Sequence, residues 1–187
     1  MSMQLLRRKF TVEEYHKMVD SDILKEDDRV ELMRGEIIEM SPIGTKHAAC
    51  VNRLVNLLIH LLGNSVILAP QNPVVLSDNS EPQPDVTLLQ LREDFYENAH
   101  PQANDIFLII EVADTTVKYD REVKIPLYAE NNVIEVWLVD INEQCVEVYR
   151  EPVTNRYLNI QKFKRGESFS IQAFPNVNIT VDKILGQ

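Results

Sequence analysis

The chain has 187 residues, an apolar fraction of 44% and a formal net charge of -10. That length suits one domain over residues 1–187 with a substantial core, and the composition excludes a largely disordered chain. The acidity disfavours a protein that neutralises phosphates over a broad surface, such as an architectural or sequence-reading DNA binder. A metal-dependent nuclease survives that objection, because a bound cation reverses the local field.

In chain order, "MSMQLLRRKF" places its basic residues after a very short apolar piece, the wrong order for a signal peptide. No apolar run approaches the length of a membrane span. Thr11 followed three residues later by Glu14 is a capping-box pattern and predicts a helix start. "VELMRGEIIEM" reads as two short strands turning at Arg34-Gly35. After the loop "SPIGT", Val51, Leu54, Val55, Leu58 and Leu62 recur at helical spacing, and Gly63 stands where a helix-ending glycine belongs.

"SVILAPQNPVVLS" is strand-like with a proline-marked interruption, and "DVTLLQL" is the next strand region. "LREDFYENAHPQAND" is a polar loop or short helix. "IFLIIEVA" is a near-continuous apolar run and predicts a central strand covered on both faces. "TTVKYDREVKIPLYAENN" reads as a helix that Pro126 should kink or truly begin. "VIEVWLVD" is another buried strand; Trp137 within it, and Tyr149 further on, belong to the core or to a subunit interface. "CVEVYRE" and "RYLNIQKFKR" form an antiparallel pair around a Pro152–Asn155 turn, and "ESFSI" and "VNITVDKIL" close the chain. The class is α/β or α+β: a central mixed β-sheet flanked by helices, with an N-terminal helix and β-hairpin. Cys50 and Cys145 have nothing to pair them and read as two structural thiols in a reducing cytoplasm.

The chemistry centres on carboxylates. Glu111 lies inside "FLIIEVA", where an unpaired charge is costly, so it must pair with a cation, bind a metal or mark the point where the strand leaves the core. Asp85 stands at the lip of "DVTLLQL"; if the two strands are neighbours, both carboxylates converge and offer a hard divalent cation its oxygen ligands. Asp120 and Lys124 share a face of the next helix, where a lysine can orient or deprotonate a water or stabilise charge on a phosphate under attack. Each also has a plain reading: Asp85 as a strand-end residue, Glu111 in a structural salt bridge, Asp120 and Lys124 as a surface i,i+4 pair. His16, His60 and His100 show no metal-ligand spacing, and neither a glycine-rich phosphate loop nor a Gly-x-Ser-x-Gly elbow occurs.

"PDV" at Pro84–Val86 and "IIEVADTTVKYDREVKIPLYAENNVIEVWLVD" from Ile109 to Asp140, together with "RVELMRGEIIEMSP" and "KHAACVNRL", resemble the Uma-type putative restriction endonuclease family of the PD-(D/E)XK nuclease superfamily. The resemblance covers nearly the whole chain. It implies a restriction-endonuclease-like fold and phosphodiester hydrolysis of nucleic acid, DNA before RNA, assisted by Mg2+ or Mn2+. On the matching positions, Asp85 is the motif aspartate, Glu111 the second metal carboxylate, and the Val112 backbone carbonyl completes the shell. The superfamily lysine lies two residues after the acid, where this chain has Ala113; Lys124 in "DREVK" is the replacement. Glu31 matches an early acidic position as a further ligand or water holder, with a solvated hairpin residue as its plain reading. His47 at the start of the long helix contacts a phosphate or lines the site, or is structural. Tyr128, one turn after Lys124, packs beside it. Asp120 is the third accessory residue.

The competing function is a catalytically silent binding or assembly module that kept the fold, supported by the acidic surface and the displaced lysine. A homodimer is expected, since C2 pairs are the commonest oligomers and suit cutting of both strands.

Overall fold

The structure is a computed structural model that describes residues 7–25 and 27–186. Part of the N-terminal run weighed as a signal peptide, residues 1–6, lies outside the described residues.

Helix α1 (Val12–Asp20) is capped as its sequence predicts: Thr11 Oγ1 accepts from the Glu14 amide at 3.1 Å, and Glu14 accepts from the Thr11 amide at 3.1 Å. Strands β1 (Val30–Met33) and β2 (Glu36–Glu39) form the hairpin. Its turn needs positive φ at Arg34 (49°) and Gly35 (77°). Gly35 is required twice over, because a Cβ there would lie 2.7 Å from Lys9 Cβ. Helix α2 (Thr45–Leu62) follows and ends at Gly63, whose φ is 54°.

The central sheet contains β3 (Ile67–Pro70), β4 (Val86–Leu89), β5 (Ile106–Ala113), β6 (Glu135–Asp140), β7 (Cys145–Val153) and β8 (Arg156–Lys164), in that spatial order. All neighbours are antiparallel except β5 and β6, which run parallel. A parallel pair needs a crossover. The segment between them supplies it as α3 (Val117–Tyr119), a wide π-turn over Asp120–Lys124, and α4 (Ile125–Glu130). A small hairpin of β9 (Ser168–Ile171) and β10 (Phe174–Thr180), then helix α5 (Val181–Leu185), complete the chain.

Alternation along β5 divides the core in two. Leu108, Ile110 and Val112 join Leu54 and Leu58 of α2 and Ile184 of α5 on one face. Ile109 and Ala113 join Ile125, Tyr128 and Ala129 on the other. Glu111 falls in this second set and therefore faces α4. Both faces of β5 are covered, which is why its sequence is nearly continuous in apolar residues. Trp137 and Tyr149 are core residues of β6 and β7.

One local expectation is met and one changes. Pro126 marks the start of the regular α-helical part of the crossover. It sits in the first turn of α4, directly after the π-turn in which the Ile125 amide bonds the Asp120 carbonyl. A proline lacks the amide that would restore the four-residue ladder, so a widened turn upstream of it accommodates the loss. The turn between β7 and β8 is shorter than Pro152–Asn155, since Pro152 and Val153 still oppose Tyr157 and Arg156. Among the described residues no helix is long and apolar enough to cross a membrane.

Candidate active site

The β4–β5 ladder brings the two expected carboxylates to one end of the sheet. Its last pair is Val86 with Ile110, and one step beyond stand Asp85 and Glu111. Both line a cleft of about 720 Å³ whose walls include Glu31, His47, Asp120 and Lys124. The strand, hairpin, long helix and crossover thus each deliver a side chain to one concavity.

Asp85 is anchored by two donors. The Val112 amide reaches its Oδ2 at 2.8 Å and His47 Nε2 stands 3.0 Å from the same oxygen. His47 comes from the first turn of α2. Its hydrogen bond to Asp85 raises its pKa against the opposing effect of burial, and its Nδ1 is buried without a partner. At Val112 the contact the structure gives is through the amide, and it goes to Asp85.

Glu111 is 2% exposed and its Oε1 receives two groups from the crossover: the Tyr128 hydroxyl and Lys124 Nζ, the latter at 3.3 Å. Lys124 Nζ also stands 3.2 Å from Glu31 Oε2, and that oxygen accepts the Gln83 amide at 3.1 Å. Lys124 therefore bridges β1 and β5. Asp120 accepts from Thr116 Oγ1 at 2.7 Å. Asp120 and Lys124 are 4% and 7% exposed, so they are not a surface pair; Glu31, at 2%, is not a solvated hairpin residue.

The charge balance of the cleft is unusual. Asp85, Glu111, Glu31 and Asp120 converge on Lys124, whose ammonium is held on by them: burial alone would lower its pKa, but the surrounding carboxylates raise it. Burial pushes the Glu111 carboxyl up to about 8, with Lys124 pulling the other way and Asp85 and Asp120 reinforcing the rise. Asp120 is likewise raised by burial. Too many carboxylates for the available cations is an environment that either retains protons or takes up a cation. The donor chemistry, carboxylate oxygens at the mouth of a cleft, fits a hard divalent ion. Among the described residues, Asp85 and Glu111 are not joined by a third histidine or acid with all donor atoms within 4.8 Å. A cation held by that pair would draw its further ligands from backbone, water or substrate.

Sequence reasoning found Asp85, Glu111, Lys124, Glu31, His47 and Asp120, and the structure brings all six to the cleft. It missed the hydrogen bond from Tyr128 to Glu111 and the Gln83 amide on Glu31. The four-residue spacing of Lys124 and Tyr128 was the available signal for the first. A backbone donor such as Gln83 leaves no mark on sequence.

A mixed six-stranded sheet with carboxylates and a lysine gathered at the end of two central strands defines a mixed α/β protein with an acidic cleft. The family described as "Uma2: Putative restriction endonuclease" matches residues 12–182, and the chain belongs to that family. A solved structure titled as a putative nuclease belonging to DUF820, from Anabaena variabilis ATCC 29413, is similar in fold, with a TM-score of 0.72 at 20% identity over 94% of this chain and 97% of that one. A search of curated proteins finds no significant match. Membership of that family supports a nuclease function, hence a hydrolase acting on nucleic acid, and the solved structure supports the fold.

Proposed function

We propose that the chain is a divalent-cation-dependent endonuclease that hydrolyses phosphodiester bonds of DNA. The observation that carries this reading is the meeting of Asp85 and Glu111 beyond the last pair of the β4–β5 ladder, with Lys124 Nζ 3.3 Å from Glu111. Asp85 and Glu111 hold Mg2+ or Mn2+, with the Val112 carbonyl as the backbone ligand. When bound, the ion polarises the scissile phosphate and lowers the pKa of an attacking water.

The protein's own groups do the rest. Lys124 remains an ammonium at neutral pH, because the carboxylates around it outweigh its burial. It therefore donates hydrogen bonds to the attacking water or to a phosphate oxygen, and it does not abstract a proton. His47 and the Val112 amide fix the Asp85 carboxylate, and Tyr128 fixes Glu111. Glu31 and Asp120 position the lysine. Carrying the lysine on the crossover helix offsets Ala113 at the usual lysine position, because α4 packs against the same face of β5. The proposed protein acts as a homodimer in a reducing cytoplasm, in keeping with two buried free thiols, Cys50 and Cys145.

The test is cleavage of plasmid and single-stranded DNA with Mg2+, Mn2+ or EDTA, comparing wild type with Asp85→Ala. Equal cleavage by the two proteins would exclude this centre as its source. Light scattering at working concentration tests the dimer. One observation favours a catalytically silent module: Lys124 is already engaged by both Glu31 and Glu111. DNA or partner binding without cleavage, and without Mn2+ uptake at millimolar concentration, would identify that alternative.

A further inference from the structure

Outside the cleft, the fold gathers three residues that sequence spacing kept apart. His16 lies on α1, Glu81 on the segment leading to Asp85, and His100 on the loop before β5. Each presents a donor atom, and the three donors lie within 4.8 Å of one another. His16 Nε2 is 2.7 Å from Glu81 Oε2, and the two imidazole rings meet edge to face with centroids 6.0 Å apart. None of the three lines the Asp85–Glu111 cleft. His16 and His100 show no metal-ligand spacing along the chain, yet the fold makes them adjacent in space.

The Glu81 side chain is 4% exposed. Among the described residues it has no lysine or arginine partner, and its contact is His16. A carboxylate taken out of water needs partners for its oxygens, and here the side-chain partner within hydrogen-bond distance is one imidazole. The segments carrying the three groups are tied together by backbone. The Glu81 amide donates to the Leu32 carbonyl at 2.8 Å, the Val12 amide to Asp78 at 2.8 Å, and the Val75 amide to Pro101 at 2.9 Å. These bonds hold the three side chains near one another before any ligand arrives.

We propose that His16, Glu81 and His100 form a second metal site that takes a zinc-type divalent ion, with water in the remaining position. Two imidazoles and one carboxylate suit Zn2+ or Co2+, whereas Mg2+ prefers an all-oxygen shell. Ligands about 2.1 Å from a tetrahedral ion sit about 3.4 Å from each other. Small rotations of the two solvent-accessible histidines bring the donors to that spacing, and the same accessibility gives the ion its way in. Glu81 is bonded to β1 beside Glu31 and lies four residues before Asp85. The ion therefore fastens α1 and the His100 loop to the segments that carry two cleft acids, a structural role.

The test titrates the metal-stripped full chain with Zn2+ against a chromogenic chelator, in excess Mg2+, and follows Co2+ absorption and thermal melting in parallel. One equivalent of Zn2+ should bind and raise Tm. The His16→Ala/His100→Ala double variant should bind at least about tenfold more weakly and show no rise in Tm. Asp85→Ala should bind Zn2+ like wild type. Both histidines are solvent-accessible, so the double variant should fold; His100→Ala alone, on an exposed loop, serves if it does not. No Zn2+ binding by wild type, undiminished binding in the histidine variants, or loss of binding in Asp85→Ala would each overturn the site. The nuclease reading fails separately, through DNA cleavage that Asp85→Ala leaves intact.

Discussion

Tyr128 donates its buried hydroxyl to Glu111 Oε1, 17 residues upstream on β5. Lys124 Nζ, one helical turn earlier, approaches the same oxygen at 3.3 Å. One helix thus holds the strand carboxylate through two donors, and the Tyr128 hydrogen bond favours its ionised form. Tyr128→Phe removes one donor and raises the Glu111 pKa further. Mn2+ binding should then need a higher pH, and at pH 7 it should weaken about tenfold, the scale of a hydrogen bond to a charged group. Calorimetry across pH reads the shift. An unchanged pH midpoint would show that Tyr128 only packs.

The carboxyl of Glu111 also makes the cation-free protein sensitive to pH. Burial raises its folded pKa from 4.5 to about 8. A raised acid binds more protons folded than unfolded, so its stabilisation is present below 4.5 and lost as pH rises through 8. Asp120 and His47 are raised as well and act in the same direction. The acids with lowered pKa, among them Glu13, Glu36 and Asp182, are already ionised above pH 5 and contribute no slope there. In EDTA, Tm should fall between pH 5.5 and 8, and Glu111→Gln should flatten that fall. Adding Mn2+ at pH 8 should restore wild type and leave Glu111→Gln unmoved.

Lys124 bridges Glu31 and Glu111, so its substitutions separate charge from placement. Lys124→Met removes the ammonium from between two buried carboxylates. Cleavage should drop by about 10²–10³, the scale of losing one donor to a developing charge. Lys124→Arg keeps the charge but not the compact shape that fits between the two acids, and should recover only a small part of the rate. Single-turnover cleavage distinguishes the two. A Lys124→Met protein that cuts at the wild-type rate would remove the lysine from the mechanism.

Local features were legible in the sequence because local chemistry fixes them. The Thr11–Glu14 box, the Arg34-Gly35 turn and the helical spacing of Val51 to Leu62 each rest on contacts within a few residues. The meeting of Asp85 and Glu111 was legible only as a condition, since it depends on β4 pairing with β5 in one register. For Glu31 the solvated hairpin reading stays open in the sequence beside the ligand reading, because a four-residue strand carries too little alternation to say which face is covered. The widened turn at Asp120–Lys124 has no periodic signature, yet it sets where Lys124 and Tyr128 point. His16, Glu81 and His100 meet through backbone ties among three separate segments, which no spacing rule records.

Another buried acid of the sheet, Glu135, gives a prediction about stability alone. Glu135 is fully buried and satisfied on both oxygens. Oε1 accepts from Arg150 at 2.7 Å and from Trp137 Nε1 at 2.9 Å, while Oε2 accepts from the Gln172 amide at 2.7 Å. The carboxylate thereby joins β6 and β7 to the connection between β9 and β10. Arg150→Met leaves it without its cation, which costs about 3–5 kcal/mol for a buried pair broken on one side. For a chain of this size that corresponds to a fall in Tm on the order of 10 °C. Replacing both partners, Glu135→Leu with Arg150→Met, should recover part of the loss, because the unpaired charge is then gone, although the Gln172 amide loses its acceptor. Glu135 does not line the cleft, so DNA cleavage by Arg150→Met at a temperature where it stays folded should match wild type. Thermal melts with Trp137 fluorescence measure the first effect, and cleavage assays the second. A Tm within 2 °C of wild type, the shift expected for about 1 kcal/mol or less, would show that the Arg150 pair contributes little.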